Sequence, residues 1–253
     1  MAHPGDNRKM AMRDLPYSGR TVAITGASGS LGRALLMQLH AQAASLIALT
    51  SSSEPLIVCD TAGQPIPLRQ VVWRCGCEQE LRELLARVDV LVLNHGVNVH
   101  RERSAAATER SLEVNALSSW RLLELFGELS AADSGRPPRE LWMNTSEAEI
   151  QPAVSPLYEI SKRLQGQLLS LRSLDLAGPQ LRIRRLVLGP FRSALNPIGV
   201  MSAEFVAREV LRQAHWDWGL VIVTPNPLTY VVMPLAVLSR WLYFRVFSGG
   251  ADN

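Results

Sequence analysis

Residues 22–32 read VAITGASGSLG. A short run rich in β-branched residues, TVAIT at 21–25, stops at Gly26, and further glycines follow at 29 and 32. A helical repeat of Leu31, Leu35, Leu36 and Leu39 begins inside the glycine segment, and a second apolar run, SLIALT, occupies 45–50. Strand, sharp turn, helix and strand make a βαβ unit. Such a unit commits a chain to a parallel sheet covered by helices.

The rest of the chain keeps that alternation. EQELRELLARV at 78–88 predicts a helix, DVLVLNHG at 89–96 a strand, and 107–132 a long helix. A loop at 133–140 leads to a strand at 141–146 and a helix over 155–177, with Pro156 suited to its first turn. A strand at 181–189, a helix at 202–215 and a strand at 220–225 follow. The expected fold is α/β, a Rossmann-like doubly wound parallel sheet with helices on both faces. One stretch breaks the pattern. Residues 55–75 hold apolar pieces split by DTAGQ and prolines, and they read as a β-hairpin insertion where such folds place a helix. Residues 1–19 carry no long apolar run and read as a loose leader, with 20–253 as a single domain.

Composition narrows the function classes. With 47% apolar and 19% charged residues, the chain is not a disordered one. A net charge of +3 without a Lys/Arg tract gives no nucleic-acid footprint. Cys75 and Cys77 have no second cysteine pair to complete a metal site, and with Cys59 they form no disulfide framework. Reduced thiols fit a cytoplasmic protein. The apolar stretch TYVVMPLAVLSRWLYFRVF at 229–247 carries Pro234, Arg240 and Arg245. It reads as a helix packed on the sheet edge or a dimer surface, or as a peripheral membrane contact; a span wants about 20 uninterrupted apolar residues.

The glycine turn predicts a dinucleotide cradle made by Gly26, Ser28, Gly29, Ser30, Leu31 and Gly32. Glycines there allow the turn, the approach of a pyrophosphate and close helix–strand packing. An acid about 20 residues on would grip the adenosine ribose of NAD. Thr50, Ser51, Ser52 and Ser53 stand there instead, so NADP(H) is expected to be favoured over NAD(H), with Arg33 or Arg74 supplying charge for the 2′-phosphate. Further on, Tyr158 and Lys162 share a helix face, and Ser146 closes the preceding strand. An ammonium beside a phenol favours the phenolate, which suits proton exchange at a carbonyl or alcohol oxygen.

Over nearly all of residues 20–225 the chain resembles the short-chain dehydrogenase/reductase family. The matching features are the glycine turn, Asn94-His95-Gly96, Asn115, Ser146, the Tyr158–Lys162 pair, and Gly189-Pro190 with Ser193. The resemblance implies that Tyr158 is the general acid or base, that Lys162 holds the nicotinamide ribose, and that Ser146 orients substrate. It implies a water supported by Asn115, and nicotinamide contacts from Asn94, His95, Gly96, Gly189, Pro190 and Ser193. It also implies a homodimer or homotetramer built on the two long helices, with Leu122, Leu125, Leu168 and Leu171 as candidate contacts.

Departures matter as well. Ser30 replaces the usual middle glycine, a non-classical spacing typical of extended members, yet too little chain follows Lys162 for their larger substrate domain. This reads as a single-domain member. His95 replaces a small alanine and reads as a packed or cofactor-facing residue, while Asn98 and His100 extend its loop toward the cleft mouth. The lid, Ala194–Met201, is short, which suits a bulky or apolar substrate. The expected function is an NADP-preferring oxidoreductase acting on a carbonyl or alcohol through Ser146, Tyr158 and Lys162. The alternatives are a non-catalytic dinucleotide sensor or scaffold, and an epimerase or dehydratase on the same fold.

Overall fold

The computed structural model describes residues 15–133 and 135–249. Most of the expected leader, residues 1–14, lies outside the described residues. Residues 15–19 belong to the fold: Tyr17 is buried and meets Trp142 edge-on, ring centroids 5.5 Å apart.

Seven strands form one sheet: β1 (Thr21–Thr25), β2 (Ser45–Thr50), β3 (Arg69–Val72), β4 (Val90–Leu93), β5 (Arg139–Ser146), β6 (Leu181–Leu188) and β7 (Leu220–Val223). Their order is β3-β2-β1-β4-β5-β6-β7, and every pairing is parallel. Strand order reverses between β1 and β4, and the crevice at their carboxyl ends is where such sheets bind ligands. β4 and the middles of β1 and β2 are apolar because both faces are covered, whereas β5 and β6 carry buried charged residues such as Glu140 and Arg184 that pair with each other. On one face α1 (Ser30–His40) and α6 (Ala203–His215) bury Leu35, Leu36, Leu39, Val206 and Val210. On the other, Leu122, Phe126 and Leu169 pack with Leu85 and Leu91. Each such side chain contributes about 1.5–3 kcal/mol on burial.

Helix boundaries follow the sequence where a helix simply covers the sheet. α5 runs Pro156–Leu176 with its proline in the first turn. Elsewhere polar contacts reshape the prediction. The helix expected at 78–88 is a 3-10 turn, Glu78–Leu81, followed by a single α-turn, α2 (Arg82–Leu85). Glu78 is buried, and its carboxylate accepts bonds from Ser118 (2.6 Å), Arg121 (2.7 Å) and the Gly76 amide (2.9 Å), which pin the segment in a bent form. The helix expected at 107–132 is α3 (Ala105–Leu112), a π-turn (Glu113–Leu117) and α4 (Ser118–Ala131). Leu122 and Leu125, candidates for a subunit contact, are instead buried in this core; Leu168 and Leu171 are half-buried.

The 55–75 insertion is smaller than two paired strands. A turn brings Ile66 N to Val58 O at 2.9 Å around an isolated Cys59–Pro65 bridge, and Leu56, Val58 and Ile66 dock on the core. β3 then joins β2 in parallel. At the opposite end of the chain, α7 spans Thr229–Phe247, the range read from the sequence. It packs through Met233 against Val187 of β6 and Ile222 of β7.

Candidate active site

The glycine turn crosses from β1 to α1 at the centre of the sheet. Gly26 has φ +61°, and a Cβ there would meet His95 Cα at 2.8 Å. A Cβ on Gly32 would lie 2.5 Å from Gly26 O and 2.7 Å from Ala27 Cα. Backbone lies on both sides, so neither position tolerates a side chain. Gly29 caps α1 without a side-chain bond, and no acidic residue sits in the first turn. The free amides of that turn therefore face an open cleft, the standard receptor for a pyrophosphate. The cradle fits a dinucleotide.

That cleft has a volume of about 700 Å³. It brings together Gly26, Ser28, Gly29, Ser30, Leu31, Ser51, Asn94, His95, Gly96, Ser146, Tyr158, Lys162, Gly189, Pro190 and Ser193. The remaining predicted residues, Gly32, Thr50, Ser52 and Asn115, are not part of its lining. Gly32 serves helix packing. Thr50 is buried and donates to Ser52 O at 2.8 Å, while the Ser52 hydroxyl accepts the Glu54 amide at 3.1 Å. Asn115 is fully buried, and its amide group clamps the Val97 backbone at both N (2.7 Å) and O (2.9 Å) and donates to Ser161 Oγ at 2.9 Å. It makes no bond to Lys162, so its position is behind the loop that carries His95 and Gly96.

His95 is tied to β1. Thr25 Oγ1 donates to Val92 O (3.2 Å) and receives Asn94 N (2.9 Å), so the ring proton of His95 is assigned to Nδ1, 2.8 Å from the same oxygen. Trp73 packs edge-on to the imidazole at 5.2 Å. Burial, and secondarily the charge of Lys162, push His95 down to about 4, so it is neutral at ordinary pH. Asn144 extends the wall by donating to Asn94 Oδ1 at 2.8 Å.

Ser146, Tyr158 and Lys162 all line this cleft, but the expected pairing of ammonium with phenol is not formed. Burial raises the Tyr158 pKa above its ordinary value; the Ser146 hydroxyl acts against this, and Glu147 adds to it. The Lys162 ammonium lies 5.8 Å from the Tyr158 ring centroid and donates instead to Asn144 O and Gln165 Oε1, both at 3.0 Å. Burial lowers Lys162 to about 8, partly offset by Glu149. Glu149 is itself held by Arg185 at 2.6 Å, in a space that a Cβ on Gly166 would fill. The ammonium is therefore directed at the end of β5 rather than at the phenol.

Sequence reading missed further cleft residues. Trp73 lines it beyond β3, beside the expected Arg74, and Val154 and Leu195 stand at its mouth. Glu147 follows Ser146 directly and accepts from Thr224 (2.7 Å) and Thr229 (3.2 Å). The Glu147 bond ties the cleft wall to the start of α7. Only the adjacency of Glu147 to a strand-ending serine could have signalled it.

Residues 22–152 match the profile described as the NAD dependent epimerase/dehydratase family. The chain is 46% identical over 240 residues to the monoglucosyldiacylglycerol epimerase of Synechocystis sp., covering 95% of this chain and 58% of that protein. It thus spans little more than half the length of that relative. A short chain dehydrogenase from Burkholderia cenocepacia in complex with NADP superposes with a TM-score of 0.71 at 17% identity, over 92% of this chain and 99% of that one. The ligand-free aldohexose dehydrogenase of Thermoplasma acidophilum gives 0.68 at 16% identity, over 83% and 94%. At such identities the likeness is one of fold.

Two expectations change. The matched family is described as NAD dependent, which overturns the expected NADP preference. Of the two arginines expected to meet a 2′-phosphate, Arg33 is committed to Ser28 O (2.9 Å) and Ile57 O (2.8 Å), while Arg74 lines the cleft; Gln70 fills the space beside Thr50 and Ser52. The modest length after Lys162 also does not set the chain apart from extended members, since its first half matches their profile.

Proposed function

The chain belongs to the NAD dependent epimerase/dehydratase family, and from that membership we propose that it inverts one secondary carbinol carbon on the sugar of a glycosyl lipid, using NAD. The family carries hydride-transfer chemistry at a carbinol or carbonyl carbon. The lipid-linked sugar is taken from the name of the Synechocystis relative. The reading rests above all on one observation: Ser146, Tyr158 and Lys162 share a single cleft with the cradle at Gly26–Ser30.

A nicotinamide dinucleotide in that cradle supplies reversible hydride acceptance at the carbinol carbon. The chain supplies the rest. Ser146 donates to the sugar oxygen and fixes its position. Tyr158 takes the hydroxyl proton as the carbon is oxidised and returns it when the carbinol is restored. Lys162 provides the charge that opposes the effect of burial on the phenol once its ammonium turns from Asn144 O toward the cleft. His95, held neutral by burial, shapes the wall without adding charge. A cleft of about 700 Å³ is roomy for a hexosyl ring, and inversion requires that the ring present both faces.

The test is incubation of the purified chain with NAD and monoglucosyldiacylglycerol deuterated at the ring carbons, followed by NMR of the headgroup. Inversion at one carbon with its deuterium retained is the expected result. Accumulation of a ketone with reduced dinucleotide would show a one-way dehydrogenase instead. Binding of NAD without turnover would mark a non-catalytic protein.

A further inference from the structure

Among the described features, α7 is the one that neither the fold nor the cleft accounts for. Only 6% of its most apolar window is buried, although it is long and apolar enough to cross a membrane. A core helix of this composition would be covered on all sides. Thr229 and Met233 alone are buried, and the packing ends near Val237. From Leu238 to Phe247 every residue is exposed except Phe244, which is shielded by Tyr243 of the same helix at 5.6 Å. Those ten residues form about 15 Å of helix.

We propose that the projecting half of α7 inserts into one leaflet of a lipid bilayer and holds the protein at the membrane surface. The exposure runs round the whole helix: Leu238, Leu242 and Val246 leave one stripe, and Trp241, Tyr243 and Phe247 the others. A second helix would cover a single stripe, whereas lipid solvates every side. Fifteen ångströms is too short to cross a hydrocarbon core of about 30 Å, and Arg240 and Arg245 near its two ends keep the segment at the headgroup boundary, so it lies along one leaflet rather than across the bilayer. Charge agrees with that placement. α7 has no acidic residue, and Arg240 and Arg245 form no ion pair among the described residues. The Arg245 guanidinium lies over Trp241 at 5.1 Å. Arginines beside tryptophan and tyrosine are the side chains of a headgroup boundary, and two cations without a counter-charge favour an anionic surface.

The inference extends the glycolipid reading by naming the surface from which that substrate arrives. Its test does not depend on turnover. The full chain would be floated with vesicles of phosphatidylcholine alone and of phosphatidylcholine with phosphatidylglycerol at 3:1. Flotation is expected with the mixed vesicles, weaker with the neutral ones. The double variant Leu242→Glu, Val246→Glu should lower the bound fraction at least tenfold while leaving NAD binding intact. Arg240→Gln with Arg245→Gln should abolish the preference for anionic lipid. The proposal is overturned if neither vesicle floats the chain, or if the glutamate variant floats equally well. It is also overturned if sedimentation shows a dimer that the glutamate variant breaks, since α7 would then cover a second copy. Epimerisation in detergent micelles separates the two readings: the α7 variants should keep it, and its failure in the parent chain counts against the function alone.

Discussion

The ammonium of Lys162 donates to the backbone carbonyl of Asn144 at 3.0 Å, across the gap between α5 and the end of β5. A cation on a nearly sealed helix face is costly, and burial accordingly lowers its pKa to about 8. Lys162→Met should raise stability at pH 7 by about 1 kcal/mol, less than the full burial penalty because Asn144 O loses a donor. The sign of the pH effect is fixed. The unfolded lysine titrates near 10.4 and the folded one near 8, so the unfolded state holds more protons between those values and wild-type stability rises there with pH. The advantage of the methionine variant should therefore shrink from pH 8 to 10.5 in chemical denaturation. A constant advantage would show that the ammonium is not destabilised by its site.

Tyr158→Phe removes the proton carrier and little else, because the phenyl ring keeps its half-buried place on the cleft wall. Turnover should fall by about 10²–10⁴, the usual range for a positioned acid–base group. NAD affinity, measured by calorimetry, should change less than threefold. Wild-type turnover in that variant would place the proton transfer elsewhere in the cleft.

Gly32→Ala sets a methyl against Gly26 O and Ala27 Cα, which are backbone atoms of the turn itself. The cost should be about 1–3 kcal/mol of stability, with NAD binding reduced more than tenfold as the turn is displaced. Gly135→Ala, in open space on a loop, is the control and should be neutral in both assays. Equal behaviour of the two variants would remove the packing argument for the cradle.

His95 titrates near 4 in the fold and near 6.5 when unfolded. Below pH 6.5 the unfolded state takes up a proton that the folded state refuses, so stability present above pH 6.5 is lost as pH falls toward 4. The loss should be on the order of 1–2 kcal/mol, reduced by the partial exposure of the ring to the cleft. His95→Gln should flatten thermal stability between pH 6.5 and 4. A profile as steep as wild type would assign the acid sensitivity to another group.

The sheet was legible because its strands are short apolar runs separated by amphipathic helices, and the cradle because Gly26 and Gly32 sit where no other residue fits. That Ser146, Tyr158 and Lys162 line one cleft was legible from topology, since strand ends and helix starts share one edge of a parallel sheet. What escaped was polar and tertiary. Glu78 looks like a surface helix residue and is a buried anchor for Ser118 and Arg121. Arg33 looks available for a phosphate and is spent on two carbonyls. The direction of Lys162 depends on Asn144 and Gln165, whose proximity no spacing reveals.

The π-turn at Glu113–Leu117 has a consequence for how the chain tolerates insertions and deletions. A π-turn accommodates one residue more than an α-helix would over the same rise. Deleting one residue between 113 and 117 would let α3 and α4 fuse into a continuous helix with every backbone bond satisfied. The two halves would keep their places, and the residues of the turn itself would change direction. Asn115 could then no longer face Val97 while Leu122 and Phe126 face the sheet. A frame shift that secondary structure absorbs without loss would thus leave a folded protein with a misplaced cleft wall.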